Sequence, residues 1–326
     1  MLILPLMFKH MKSRTTRARV ERRPFSVKGM VRDSRADILE PNPFYGSQQK
    51  IHRVHAGQQP RGTSPINNFF RVISQTQPTL HKGSIWHFSD EEKRHLAYAT
   101  AAFTLALGLM FGGRGLGGIS EFGLTGWLVN VLITMPLVLI AIGPAFVLHE
   151  IGHKIVAKKN GCWAEFRADP KGLQFGVMLA LIFGVLFMAP GAVMVAGLVT
   201  RRQNGHIAIA GPLVNLGLFI VGIPIGVLLF ILTGAGDFGG QQHIAGGSII
   251  WQAMVYDIVR WWLYANIGLG LFNMIPFGPL DGLKVRDWNS NVWLALFLVF
   301  LSPIPIYFLT GGWSAMTLVI WLSNLV

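Results

Sequence analysis

Charged residues are scarce in this sequence of 326 amino acids, and acidic residues are rarer than basic ones. Only 13% of the residues are Asp, Glu, Lys or Arg, whereas 52% are hydrophobic. Soluble globular domains carry about 25% charged residues, so the composition excludes an ordinary soluble domain. Cysteine is nearly absent as well. The one present, Cys162, has no partner for an internal disulfide.

The charges that are present cluster near the N-terminus. Residues 1–95 hold 17 Lys and Arg and 7 Asp and Glu, whereas the remaining 231 residues hold 11 and 8. The pattern predicts a basic, disordered N-terminal arm over 1–88 and a membrane domain over 89–326. A solvated extension is the favoured interpretation of the arm, with binding to anionic lipid as the alternative. Nucleic acid is not expected as a partner.

Long stretches without formal charge fill the second part of the chain, and each approaches the length of a bilayer crossing. They are 96–113, 122–148, 173–200, 206–235, 261–280 and 292–326. They predict an all-α polytopic membrane protein with about six transmembrane helices and a small membrane-associated β element.

Lysine and arginine set the predicted orientation of this protein in the membrane. The basic arm places the N-terminus in the cytoplasm of a multi-pass cell-membrane protein. Stretch 173–200 has basic residues on both sides. We therefore expect it to enter and return on the cytoplasmic side, as a re-entrant hairpin or as a short helix followed by a strand.

A motif with metal chemistry follows 27 uncharged residues. His149 and His153 are four residues apart, so they share one face of a helix and can bind the same zinc ion. Glu150, next to the first histidine, can accept a proton from a water molecule that zinc activates. Ionisable groups at membrane depth are costly and usually functional. The alternative is a group of polar residues where the helix leaves the bilayer.

Catalytic zinc usually takes three protein ligands, so the two histidines need a third. The predicted topology leaves His206 and Asp281 as candidates. Asp281 is favoured, because two prolines and two glycines in 273–282 break the preceding helix and can turn its carboxylate inward. His206 is the alternative candidate for the third ligand.

Three segments together resemble the site-2 proteases, which are intramembrane zinc metalloproteases. The segments are His-Glu-Ile-Gly-His (149–153), Ala-Gly-Pro-Leu-Val-Asn (210–215) and the run from Asn273 to Leu-Asp-Gly (280–282). The resemblance covers residues 96 to about 290. It implies one zinc ion per chain on His149, His153 and Asp281, with Glu150 as the general base.

The resemblance also implies residues that bind substrate. Asn273 is expected near the active site as a catalytic and substrate-binding residue that holds the substrate backbone or steadies the oxyanion. Asn215 is a second substrate-binding candidate, with hydrogen bonding across packed helices as the alternative. Members of the family bind substrate as an extended strand beside a small sheet. The segments 162–168 and 192–199 resemble that sheet.

Some features depart from the wider family. The apolar 154–272 has no room for a PDZ domain, and no CBS domain is expected after the last span. Gly-Leu-Lys follows Asp281 where Gly-Gly is frequent. We therefore expect a minimal, archaeal-like member.

The function predicted is that of an intramembrane zinc metalloendopeptidase. It would cut a transmembrane segment of a single-span membrane protein near the cytoplasmic face, as in regulated intramembrane proteolysis. The alternatives are a catalytically silent metal-binding membrane regulator, an ion transporter, and a zinc protease at the membrane surface with Glu165 as third ligand.

Overall fold

A computed structural model describes residues 84–188, 190–197 and 199–325 of the chain. The predicted arm, 1–88, lies outside the described residues except for its last five positions. The predictions of disorder and lipid binding for 1–83 therefore concern a segment that is not described.

The described chain is mostly helical, with two small antiparallel sheets. The helices are α1 (Asp90–Leu107, continued by a π-helical turn Gly108–Gly112), α2 (Gly118–Lys159), α3 (Pro170–Phe183), α4 (Arg201–Thr233), α5 (Trp251–Asn273), α6 (Asp281–Trp288), α7 (Ser290–Leu301), α8 (Pro303–Leu309) and α9 (Ala315–Ser323). The strands are β1 (Trp163–Ala168), β2 (Gly191–Ala196), β3 (Ile244–Ala245) and β4 (Ser248–Ile249).

Three helical segments are long and apolar enough to cross a membrane: Asp90–Gly112, Gly118–Lys159 and Arg201–Thr233. A fourth crossing results if α7 and α8, bent by 43° at their junction, form one span. α5 has 23 residues but is less apolar, because polar groups such as Asp257 and Arg260 interrupt it. The predicted class, an all-α membrane protein with a small β element, is confirmed. Within the described residues, three or four helical segments qualify as spans by length and composition, where the sequence predicted about six.

Aromatic contacts join α1, α2 and β1 into the main core. The Phe146 ring of α2 lies 5.6 Å from that of Phe103 in α1 and 5.8 Å from that of Phe166 in β1. Buried Leu137 and Leu173 extend the same cluster to α3. The C-terminal half of α1 thus packs against α2 in this core, and β1 lies beside them.

The segment predicted to enter the membrane and return consists of a short helix followed by an extended chain. α3 begins directly after β1, and its last turn reaches the α1–α2 loop, where the Leu116 N–H donates to the Leu181 carbonyl (2.6 Å). The chain then returns to β2, which pairs with β1. A helix plus a strand is therefore the correct form of this segment.

The β1–β2 sheet has one covered edge and one open edge. The Phe166 N–H donates to Glu92 Oε1 and the Ala168 N–H donates to His95 Nδ1, both at 3.0 Å, so α1 covers the edge of β1. Val193 is the partner of Phe166. The backbone groups of one residue in an antiparallel strand point to the same side, so the Val193 N–H and C=O point away from β1. Among the described residues, no third strand pairs with that edge.

α4 and α5 approach each other closely at Gly222. A Cβ on this glycine would lie 2.5 Å from Trp262 Cδ1 and 2.6 Å from its Nε1. The Trp262 side chain is also held by a hydrogen bond from Nε1 to the Leu218 carbonyl (2.8 Å). Small residues at such crossings let membrane helices pack at short distance.

We expect Gly222→Ala to destabilise the protein by about 1–3 kcal/mol, because the added methyl group has no space beside Trp262. Gly217→Ala in the same helix is the matched control. A Cβ there meets nothing within 4 Å, and alanine favours helix. Thermal unfolding of both variants in detergent measures the difference. Equal Tm values for the two would contradict this packing.

Candidate metal centre

The two histidines of the motif face α4 at a contact between glycines. A Cβ on Gly152 would lie 2.9 Å from Val214 Cγ2 and 3.2 Å from the Ala210 carbonyl oxygen. A Cβ on Gly211 would collide with Nε2 of both His149 and His153. The absence of a side chain at Gly152 therefore lets α4 approach α2, and its absence at Gly211 leaves the space that the imidazole rings occupy.

Hydrogen bonds from the rear fix the orientation of both rings. His149 Nδ1 lies 2.6 Å from Asn215 Oδ1, and His153 Nδ1 lies 2.7 Å from the Ile207 carbonyl oxygen. Since both acceptors are oxygens, each Nδ1 carries the proton and each Nε2 has a free lone pair. That is the tautomer of a histidine that binds a metal through Nε2 with a second partner behind it.

Asp281 reaches the histidines from the first turn of α6. α5 ends at Asn273, and Gly278 adopts a left-handed conformation (φ 56°) in the connecting loop. Gly282 lies so close to the Met274 and Ile275 carbonyls that a Cβ there would overlap them. The loop thus presses the start of α6 against the end of α5 and turns the Asp281 carboxylate toward α2.

The three side chains form a compact, buried cluster with ligand spacing. Nε2 of His149 and His153 are 3.0 Å apart, and Asp281 Oδ2 lies 3.4 Å and 3.0 Å from them. Ligand atoms bound tetrahedrally to zinc at its usual bond lengths are about 3.4 Å apart. Within the described part of the chain, this is the one group of three His, Cys, Asp or Glu side chains that could hold a metal ion. Its spacing and its two nitrogens and one oxygen fit zinc.

A charged side chain outside the cluster, Lys284, contacts Asp281. Lys284 Nζ lies 3.6 Å from Asp281 Oδ1, the oxygen turned away from the histidines. Burial opposes the charge on Asp281, but the nearby side chains of His153 and His149 outweigh it. These contacts, with Lys284, hold the pKa of the Asp281 carboxyl well below its usual range. The carboxylate is therefore ionised, as a metal ligand must be.

Glu150 directly follows His149 on α2. Its carboxylate is near enough to Asp281, Lys284 and the backbone of Val193 in β2 for these groups to act on it. The predicted general base is thus near both the ligand cluster and β2.

Asn215 lies behind His149 and has no free polar atom for substrate. Its side chain is fully buried. Oδ1 contacts His149, and Nδ2 donates to the Ala145 carbonyl (2.9 Å) and to Asn266 Oδ1 (3.1 Å). This placement favours the alternative interpretation, a residue that bonds across packed helices, over direct substrate binding.

Asn273 and His206 are not among the contacts of the cluster. The Asn273 amide donates to the Leu269 carbonyl of its own helix (3.0 Å), so its catalytic role stays a prediction. The His206 ring packs edge-on against Trp288, with ring centres 4.6 Å apart. The structure thus groups Asp281, and not His206, with the histidine pair.

Sequence reasoning missed two residues beside the cluster, Lys284 and Asn266. Lys284 lies three residues after Asp281, a spacing that brings side chains together on a helix. Asn266 is fully buried in α5 and donates to the Trp262 carbonyl (2.8 Å) while it accepts from Asn215. A polar residue in an apolar stretch signals a helix contact, but the sequence does not name its partner.

The helical membrane fold and the buried His-Glu-x-x-His cluster define a zinc metalloprotease of the membrane. Residues 137–288 match the family described as Peptidase family M50. The chain belongs to this family, which is the site-2 protease family that the three motifs resemble, so that prediction and those of a metalloprotease and of zinc are confirmed.

Relatives named as zinc metalloproteases occur in archaea and bacteria. One from Methanocaldococcus jannaschii is 39% identical over 156 residues, which are 48% of this chain and 71% of the relative. One from Bacillus subtilis is 28% identical over 199 residues, 55% of this chain and 86% of the relative. No solved structure matches the chain significantly.

The third ligand can be tested by metal analysis of the purified protein. We expect one zinc ion per chain in the wild type and in His206→Ala, and loss of that zinc in Asp281→Ala, because two histidines alone hold zinc weakly. Atomic absorption of detergent-purified protein gives the ratio. Zinc kept by Asp281→Ala and lost by His206→Ala would reverse the assignment.

The role of Asn215 can be separated from that of Asn273 by the same substitution at both sites. We expect Asn215→Leu to lower zinc affinity by about 10–100-fold, because His149 loses the partner that orients it. Asn273→Leu should leave zinc affinity unchanged. Competition with a chelator measures both values. A larger loss of affinity at Asn273 would contradict this placement.

Proposed function

We propose that the protein is an intramembrane endopeptidase that cuts transmembrane segments of membrane proteins near the cytoplasmic face, as in regulated intramembrane proteolysis. The observation that carries this proposal is the buried zinc-type ligand cluster, with Glu150 next to it and near β2 of a small sheet. The expected substrate is a single-span membrane protein.

The depth of the cluster supports cleavage within the membrane. His149 follows a run of 27 residues without formal charge in α2. At 1.5 Å per residue it lies roughly 15 Å before the end of the helix at Lys159. The reactive groups are thus inside the helix bundle and at a depth at which a transmembrane segment of a substrate could meet them.

Basic residues collect at one end of the bundle, and they support a cytoplasmic site and a cytoplasmic N-terminus. The end of α2, the sheet, and the starts of α1, α4 and α6 share this end. Its basic residues are Lys154, Lys158, Lys159, Arg167, Lys171, Arg201, Arg202, Lys284 and Arg286. Such an excess marks the cytoplasmic side of membrane proteins. We propose that the protease domain comprises 89–326 and that 1–88 is a separate basic arm, a solvated extension for which anionic lipid is the candidate partner.

The open edge of β2 suits an extended substrate. A transmembrane helix hides its peptide bonds in its own hydrogen bonds, so a substrate has to unwind before it is cut. An unwound segment can pair with the outward-facing N–H and C=O groups along β2. Pairing there holds the substrate backbone beside Glu150.

The residues of the site have distinct roles in this proposal. His149, His153 and Asp281 would hold zinc, which when bound polarises the peptide carbonyl and makes a water molecule a better nucleophile. Glu150 accepts the proton of the attacking water and transfers it to the leaving amine. Asn215 and the Ile207 carbonyl hold the histidine rings, and Asn273 is proposed to contact the substrate backbone.

Cleavage can be tested with the full chain in liposomes and a labelled single-span substrate that has a Gly-Pro pair near its cytoplasmic end. We expect Glu150→Gln to keep zinc and to lower the cleavage rate by at least about 100-fold, because it cannot accept the proton. Glu165→Gln, the same change outside the cluster, is the control and should retain most activity. Full activity of Glu150→Gln, or cuts only outside the span, would contradict the proposal.

A further inference from the structure

The start of α1 carries a buried carboxylate that the chemistry above does not use. Glu92 is completely buried, and its partner Lys154 is 1% exposed. Such residues are almost never fully buried unless they are paired. Glu92 and Lys154 are therefore part of the packed interior, in contrast to the exposed residues at the start of α1.

Each oxygen of Glu92 holds a different element. Oε1 accepts the Phe166 N–H of β1 (3.0 Å), and Oε2 forms an ion pair with Lys154 Nζ on α2. Lys154 directly follows the ligand His153. One carboxylate thus connects the sheet to the helix turn that carries the metal ligands.

Neighbouring groups complete the contact between α1, the sheet and α2. The Phe88 ring lies 3.4 Å from Lys154 Nζ, and Lys158 Nζ donates to the Ser84 and His87 carbonyls (3.2 and 2.8 Å). His95, one helical turn after Glu91, accepts the Ala168 N–H and lies 2.9 Å from Glu91 Oε1. The edge of β1 is thereby closed to any other strand.

We infer that Glu92 is a positioning residue, which holds the β1–β2 sheet at a fixed distance from α2 so that the open edge of β2 stands beside Glu150. The inference rests on the proposed function. Glu92 acts through Lys154 and Phe166 and touches neither metal ligands nor substrate.

The physical need for such a contact follows from the size of the sheet. Two strands alone are marginally stable, so the position of this sheet depends on the helices around it. Apolar side chains can replace a buried ion pair with little loss of stability, but they lack its direction. Misplacement of reacting groups by about 1 Å can lower a rate about 100-fold. Loss of this directional contact is therefore expected to lower the cleavage rate more than the stability of the fold.

The test compares Glu92→Gln with Asp90→Asn in the full chain in detergent and in liposomes. Both variants remove one carboxylate charge from the first turn of α1, but Asp90 is exposed and, among the described residues, pairs with Lys93 alone. The measurements are zinc per chain, hydrogen exchange of 163–168 by mass spectrometry, and kcat and KM for the labelled single-span substrate.

For Glu92→Gln we expect exchange of 163–168 to be about tenfold faster and kcat to fall about tenfold, with KM within about twofold of wild type and one zinc per chain. Asp90→Asn should match the wild type in every measurement. Unchanged exchange and unchanged kcat in Glu92→Gln would overturn the inference.

The double variant Glu92→Gln/Lys154→Met separates positioning from stability, and it covers the case in which Glu92→Gln does not fold. It leaves no unpaired charge, so Tm should return toward the wild-type value while kcat stays low. Recovery of kcat together with Tm would show that Glu92 is merely structural. If the wild type does not cut the substrate, the proposed function fails, and hydrogen exchange alone then decides whether Glu92 holds the sheet.

Discussion

The contact of α2 with α4 at Gly152 and Gly211 is the constraint on which the rest of the site depends. Side chains at either position would occupy the volume of the two imidazole rings or push the helices apart. With glycine at both, the rings lie between the helices and their rear nitrogens reach α4. Asp281 then needs only one short loop to complete the cluster.

Polar groups in the bundle are arranged as a connected chain. Asn266 of α5 accepts from Asn215 of α4, which in turn contacts His149 of α2. In a medium without water, each unmade hydrogen bond costs several kcal/mol, so these partners select one relative placement of three helices. The same bonds that orient a ligand therefore also fix the helix packing.

The sequence predicted the parts of this protein that follow from local pattern. Spacing of four residues placed His149 and His153 together, and the broken helix before Asp281 indicated an inward carboxylate. Basic residues on both sides of 173–200 indicated a re-entrant hairpin or a short helix followed by a strand in place of one continuous span. The hydrogen-bond partners of Asn215, and the pairing of Glu92 with Lys154 across 62 residues, could not be predicted. They depend on which helices are neighbours and on their rotation, and neither leaves a periodic signal in the chain.

The length of α3 has a consequence for the surrounding lipid. Its 14 residues rise roughly 21 Å, whereas the hydrocarbon core of a bilayer is about 30 Å thick. Phe175, Met178 and Phe183 on this helix are more than half exposed, as expected of side chains that face lipid. A mismatch of this size is met by local thinning of the bilayer at a fraction of a kcal/mol per Å. The membrane is therefore expected to be dented beside the sheet, which brings water closer to the reactive groups than the depth of α2 alone suggests.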